Sequence, residues 1–91
     1  GGIGLYLHLG QNVMIPLNEI IGIFDLDNTT WSHRTRRFLE QAEAGGQVTW
    51  LGDDLPRSFL LCRGKNGENR VYISQVNAAT LIRRAEQNGF E

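Results

Sequence analysis

Ninety-one residues exclude two independently cored domains and leave chain for one modest core. Nine basic against ten acidic side chains exclude a global pull toward nucleic acid or a membrane surface, so any such site has to come from local clustering. Apolar residues make up 41% and are gathered in runs, which argues for a folded domain, and so short a chain favours homo-oligomerisation.

Cys62 is the only cysteine, so no intrachain disulfide forms, and it lies in an apolar strand where packing rather than reactivity is its role. One Cys and two His do not make a zinc site, and no metal or cofactor is expected. No secretion signal or membrane span is recognisable, which points to a cytoplasmic protein without a membrane partner. Gly1, Gly2 and Ile3-Gly4 read as an appended remnant, leaving one expected domain over residues 5–88.

Leu5-Tyr6-Leu7-His8-Leu9 alternates with period two, Leu5, Leu7 and Leu9 to one side, and predicts a half-buried strand. Gly10-Gln11-Asn12 is a turn, and Val13-Met14-Ile15 completes a hairpin that Pro16 closes, because proline cannot donate to a ladder. Leu17-Asn18-Glu19 leads into the most apolar run of the chain, Ile20-Ile21-Gly22-Ile23-Phe24-Asp25-Leu26. That run predicts a central strand buried on both faces.

Residues 30–44 contain neither Gly nor Pro, and Trp31, Thr35, Phe38, Leu39 and Ala42 recur at helical spacing. Asn28, Thr29 or Thr30 is suited to cap this helix, and Gly45-Gly46 ends it. Its outward face carries His33, Arg34, Arg36, Arg37, Glu40, Gln41 and Glu43, which reads as a solvated face or as a basic contact patch. Residues 47–51 predict a fourth strand, and Gly52-Asp53-Asp54-Leu55-Pro56-Arg57 a loop. Residues 58–62 and 70–74 flank Gly64-Lys65-Asn66-Gly67-Glu68-Asn69 as a second hairpin, its Asn66-Gly67 pair accepting positive φ. Asn77 caps a last helix with the stripe Ala78, Leu81, Ile82 and Ala85, ending near Asn88-Gly89. The expected fold is α+β, in the order β-β-β-α-β-β-β-α, built from antiparallel hairpins and two helices.

Phe24-Asp25-Leu26-Asp27-Asn28-Thr29 resembles the first motif of the haloacid dehalogenase-like hydrolases. That resemblance implies Asp25 as nucleophile and Asp27 as general acid/base around a metal. The Val48–Asp54 string resembles the family's last acidic motif. Between the two, however, the family places a hydroxyl-bearing strand end and a phosphate-pairing lysine, whereas the only lysine here, Lys65, follows both. A doubly wound sheet also needs several crossover units of about 30 residues each, for which the chain has no room. The plainer reading is a buried strand that leaves the core at Asp25 and Asp27 and hands over to a helix start. No catalytic residue and no small-molecule substrate is expected on that reading. Ser32 and His33, being adjacent on a helix, point apart.

Leu5-Tyr6-Leu7-His8-Leu9-Gly10, Val13, Ile15-Pro16 and the run from Ile20 to Thr30 resemble the start of the RemA/RemB family of extracellular matrix regulators. Asp53-Asp54-Leu55-Pro56-Arg57-Ser58-Phe59, Glu68-Asn69-Arg70-Val71-Tyr72-Ile73-Ser74, and Ala79-Thr80-Leu81 with Arg83-Arg84 continue the likeness. The resemblance implies a LytTR-like fold, assembly as a homo-oligomeric ring, and non-enzymatic regulation of biofilm-matrix genes through double-stranded DNA bound by exterior arginines. A ring would multiply one weak basic patch into many phosphate contacts. RemA-type sequences carry arginines where this chain has Asn18-Glu19 and Asp53-Asp54, and only Arg57 matches in that loop. The candidate DNA contacts are Arg57, which matches the family, together with Arg34, Arg36 and Arg37 of the basic helix face. Tyr6, Trp31 and Trp50 are the aromatic candidates for subunit or partner contacts, and a protein-binding ring without DNA is the other reading.

Overall fold

The computed structural model carries the continuous apolar run Phe59-Leu60-Leu61-Cys62 in a strand covered on both faces. It describes residues 5–27 and 32–89. The elements follow the expected order: β1 (Tyr6–Gly10), β2 (Val13–Pro16), a 3-10 turn (Leu17–Glu19), β3 (Ile20–Asp25), α1 (His33–Ala44), β4 (Val48–Leu51), β5 (Ser58–Arg63), β6 (Asn69–Ser74) and α2 (Ala78–Gly89). The α+β class is as expected, and the boundaries differ from the sequence reading by small margins.

The hairpin β1-β2 forms its own two-stranded sheet, with Leu7 opposite Ile15 and His8 opposite Met14. Its turn places Gln11 at φ 51° and Asn12 at φ 64°, the left-handed pair that matches the twist of a tight hairpin. The other four strands form one sheet in the order β3-β5-β6-β4. β3-β5 and β5-β6 are antiparallel, whereas β4 lies parallel to β6. β3 and β4 therefore run the same way at opposite edges, α1 is the crossover between them, and the β5-β6 hairpin fills the gap. The parallel β4-β6 pair was not foreseen from the hairpin signals.

The two faces of the sheet carry separate cores. On one face Leu60 and Cys62 of β5 and Leu51 of β4 pack with Leu7, Leu9 and Ile15 of the hairpin and Leu81 of α2. On the other, Phe59, Val71 and Ile73 pack with Leu26 and with Leu39 and Ala42 of α1. Strand β5 alternates strictly between them, Phe59 and Leu61 to one face, Leu60 and Cys62 to the other. Ser58 and Ser74, both buried and directly opposed, are satisfied locally. The Ser58 hydroxyl donates to the Val76 carbonyl at 2.6 Å, and Ser74 Oγ accepts from Val76 N at 3.0 Å.

Four expectations need correction. The Ile20–Leu26 run is not a central strand: β3 is an edge, with Ile21 53% and Phe24 44% exposed, while Leu26 beyond its end is buried. Apolar content shows that a strand seeks cover, but its place in the sheet is decided by the inserted hairpin. The α1 cap is Ser32, whose Oγ accepts from Thr35 N at 3.1 Å; Asn28, Thr29, Thr30 and Trp31 lie outside the described residues. In α2, Ala78 and Leu81 are buried and Ala85 is partly covered, but Ile82 turns 42% of its surface to solvent. Asn77 does cap α2, its Oδ1 accepting from Thr80 N at 2.8 Å. Of the Asn66-Gly67 pair, only Gly67 takes a positive φ, 85°.

Two measurements check this architecture. In urea denaturation, Leu60→Ala or Leu81→Ala should lower stability by about 2–5 kcal/mol, because each leaves a cavity in a closed core, and Ser32→Ala by about 1 kcal/mol through the lost cap. The Cys62 thiol is pushed up to about 11, by burial first and by the Glu19 carboxylate second. The folded state therefore keeps a proton that the unfolded chain releases. Its contribution is complete below the ordinary thiol value of 9.0 and is lost as pH rises through about 11. The stability of a Cys62→Ala variant should lack that alkaline decline.

Candidate functional site

The end of β3 and the loop before β5 are built as one unit. Asp25, exposed at the strand end, turns its Oδ1 to accept from Asp27 N at 2.7 Å. Such a local turn is a standard use of Asp at a strand exit. Leu26 N donates to the Arg57 carbonyl at 2.9 Å, and Arg57 N donates to the Ser74 carbonyl at 2.9 Å, so the β3 exit is tied through the loop to β6. Across 30 positions of sequence the Arg57 guanidinium then meets Asp27 two-pronged, Nε to Oδ1 at 3.1 Å and Nη2 to Oδ2 at 3.0 Å. The hydrogen bond and charge of Asp27 raise the Arg57 pKa further above its ordinary value.

This geometry bears on both candidate chemistries. Both oxygens of Asp27, the acid/base of the hydrolase reading, are engaged by Arg57. Lys65 sits at the tip of the β5-β6 hairpin, at the far end of β5 from Ser58, which pairs with Asp25; that is roughly 20 Å along the strand. Among the described residues no group of three or more His, Cys, Asp or Glu is placed to hold a metal. For the DNA reading, Arg57 keeps 48% of its side chain exposed but has two of its five N–H donors committed to a carboxylate. With the Gln75 amide oriented oxygen-inward, that oxygen accepts from Asp53 N at 2.8 Å and Asp54 N at 2.5 Å, which fixes the backbone of the acidic loop.

The second cluster is on α1. His33, Arg34, Arg36 and Arg37 are all exposed, as the periodicity required, while Leu39 and Ala42 face the sheet. Among the described residues none of the three arginines is in an ion pair. Their order along the helix is unusual: basic residues occupy the N-terminal half, and Glu40 and Glu43 follow. The macrodipole prefers the reverse, by about 0.3–1 kcal/mol per charge near an end. These charges are thus not arranged to stabilise the isolated helix.

The third feature lies on the α1 face of the sheet near the β4 edge. An open hollow of about 150 Å³ is lined by Leu26, Leu39, Pro56, Ile73 and Trp50, with Glu40 and Glu43 on its helix side. Trp50 is 52% exposed, and its indole N–H donates to Glu43 Oε2 at 2.9 Å. At the opposite edge of the same face, Phe24 folds over Gly22, where a Cβ would meet the ring at 2.8 Å, and stacks on Phe59 with centroids 4.7 Å apart. Tyr6 is 41% exposed on the outer side of the hairpin, and Trp31 lies outside the described residues.

The sequence therefore located the arginines and Trp50 correctly as surface residues, but not the hollow or the Asp27–Arg57 pair. Both join segments that are remote in the chain, and no local pattern announces them. Among the described residues no helix is long and apolar enough to cross a membrane. No protein-family model matches the chain, and no curated protein matches it.

If Asp25 and Asp27 serve the turn and the ion pair, magnesium-dependent hydrolysis of a generic phosphomonoester should not exceed the buffer blank. Turnover that disappears in Asp25→Asn would instead establish the hydrolase.

Proposed function

We propose that the chain is a non-enzymatic, homo-oligomeric regulator of the RemA/RemB type, acting in the cytoplasm on extracellular-matrix genes by binding double-stranded DNA. The observation that supports DNA contact most directly is the exposed N-terminal half of α1. Three arginines free of ion pairs among the described residues, together with His33, stand at the positive end of a helix. Phosphate oxygens are the natural counter-charge for that arrangement, since a helix start and guanidinium groups both favour anions. A monomer offers few such contacts on a chain of net charge −1, so binding depends on several copies presenting their helices together. Arg57, the one position of its loop that matches the resemblance, adds a contact, with Asp27 limiting its share.

A scaffold role without DNA is the second reading, favoured by the half-exposed Tyr6, Phe24 and Trp50. Aromatic side chains with one covered side and one open side are common anchors of protein contacts.

Fluorescence anisotropy with duplex DNA separates the two. Binding should fall linearly in log affinity against log salt, and the double change Arg34→Glu, Arg37→Glu should weaken it at least about tenfold, with Arg57→Glu having a smaller effect in the same direction. Absence of binding at low salt would leave the scaffold reading.

A further inference from the structure

The solvent-facing surface of α1 divides into two stripes. At 3.6 residues per turn, Arg34, Arg37 and Gln41 share one, and Arg36, Glu40 and Glu43 share the other. The second stripe borders the hollow, because Glu40 and Glu43 line it together with Leu39 and Trp50. It carries a cation at its N-terminal end and two anions further on.

Within one copy this order brings little. An Arg placed four residues before a Glu is the less favourable orientation for a helical ion pair, and no ion pair joins Arg36 to Glu40. The acids also lie toward the negative end of the helix dipole. Read against itself in reverse, however, the stripe is complementary. An antiparallel second copy sets the cation of each helix opposite the anions of the other, and a two-fold axis makes every such contact twice. The hollow beside the stripe suits the incoming group. Its apolar lining fits the methylene stem of an arginine, the exposed Trp50 ring offers a face for the guanidinium, and Glu43 uses only Oε2 to hold the indole N–H.

We propose that this face is a contact between two copies of the chain, α1 antiparallel to α1, with Arg36 of each copy entering the other's hollow beside Glu40, Glu43 and Trp50. The contact assigns the two stripes different work. Arg36, one of the three arginines offered to phosphate above, is here given to assembly instead, while Arg34 and Arg37 stay on the open side of the helix. It rests on the oligomeric part of the proposed function and not on DNA binding.

Sedimentation velocity of the full chain without DNA tests it. The wild type should self-associate, less so as salt shortens the range of the charges. Arg36→Glu makes the stripe wholly acidic and Glu40→Arg makes it predominantly basic. Each alone should associate about tenfold more weakly, while an equimolar mixture of the two, and the exchanged double variant R36E/E40R, should return to the wild-type level. Circular dichroism melts confirm that the variants are folded; if a charge reversal unfolds the chain, Arg36→Gln and Glu40→Gln should show the same trend at smaller size. Single variants that associate like the wild type would overturn this contact and leave an oligomer built through another face. A wild type that stays monomeric at all concentrations would overturn both this contact and the oligomeric reading.

Discussion

The insertion of the β5-β6 hairpin between β3 and β4 is the constraint on which the remaining structure depends. Two strands made either side of one helix would ordinarily lie side by side; here a hairpin separates them, and each becomes an edge. The placement gives β5 two covered faces, so that Phe59 and Leu60, neighbours in sequence, anchor different cores. It forces α1 to cross the sheet from one edge to the other. It also brings the loop before β5 against the end of β3, where Arg57 meets Asp27.

The same constraint accounts for the exposed aromatic residues. β3 has the composition of a buried strand, but with only β5 beside it Phe24 is half covered, by Phe59, and Ile21 stands out at the register shift between Ile20 and Gly22. At the other edge β4 offers Trp50 next to an apolar hollow. These exposed apolar side chains at both ends of one sheet are the surface on which the proposed homo-oligomeric reading draws.

Electrostatics points the same way from different residues. In α1 the charges run against the helix dipole, and a surface charge pair within one chain is worth little in any case. An arrangement that gives the isolated helix no benefit is readily understood when the opposing charges belong to another molecule. The N-terminal arginines suit phosphate, and the Arg36-Glu40-Glu43 stripe suits its own reverse. The two acids of the Asp25-Asp27 motif have structural partners within the chain, Asp25 as a local turn acceptor and Asp27 in the long-range pair with Arg57.

Much of this was legible in the sequence, because its causes are local. Period-two and helical spacing gave the six strands and two helices in order, Asn77 announced its cap, and the arginines of α1 fell on the outward face as spacing demands. The larger misplacements involve partners distant in the chain. The Ile-rich run lies at an edge rather than the centre, β4 pairs parallel to β6, and Arg57, a candidate DNA contact, is held by Asp27. The sequence by itself determined which residues seek cover, where the chain turns and which charges face water, since these follow from side-chain chemistry over a few residues. Only the tertiary structure decided which strand lies at an edge, which acid meets which arginine and where a hollow opens. Those depend on which distant segments pair, and the backbone hydrogen bonds between strands, being the same for every sequence, leave no local mark of the partner.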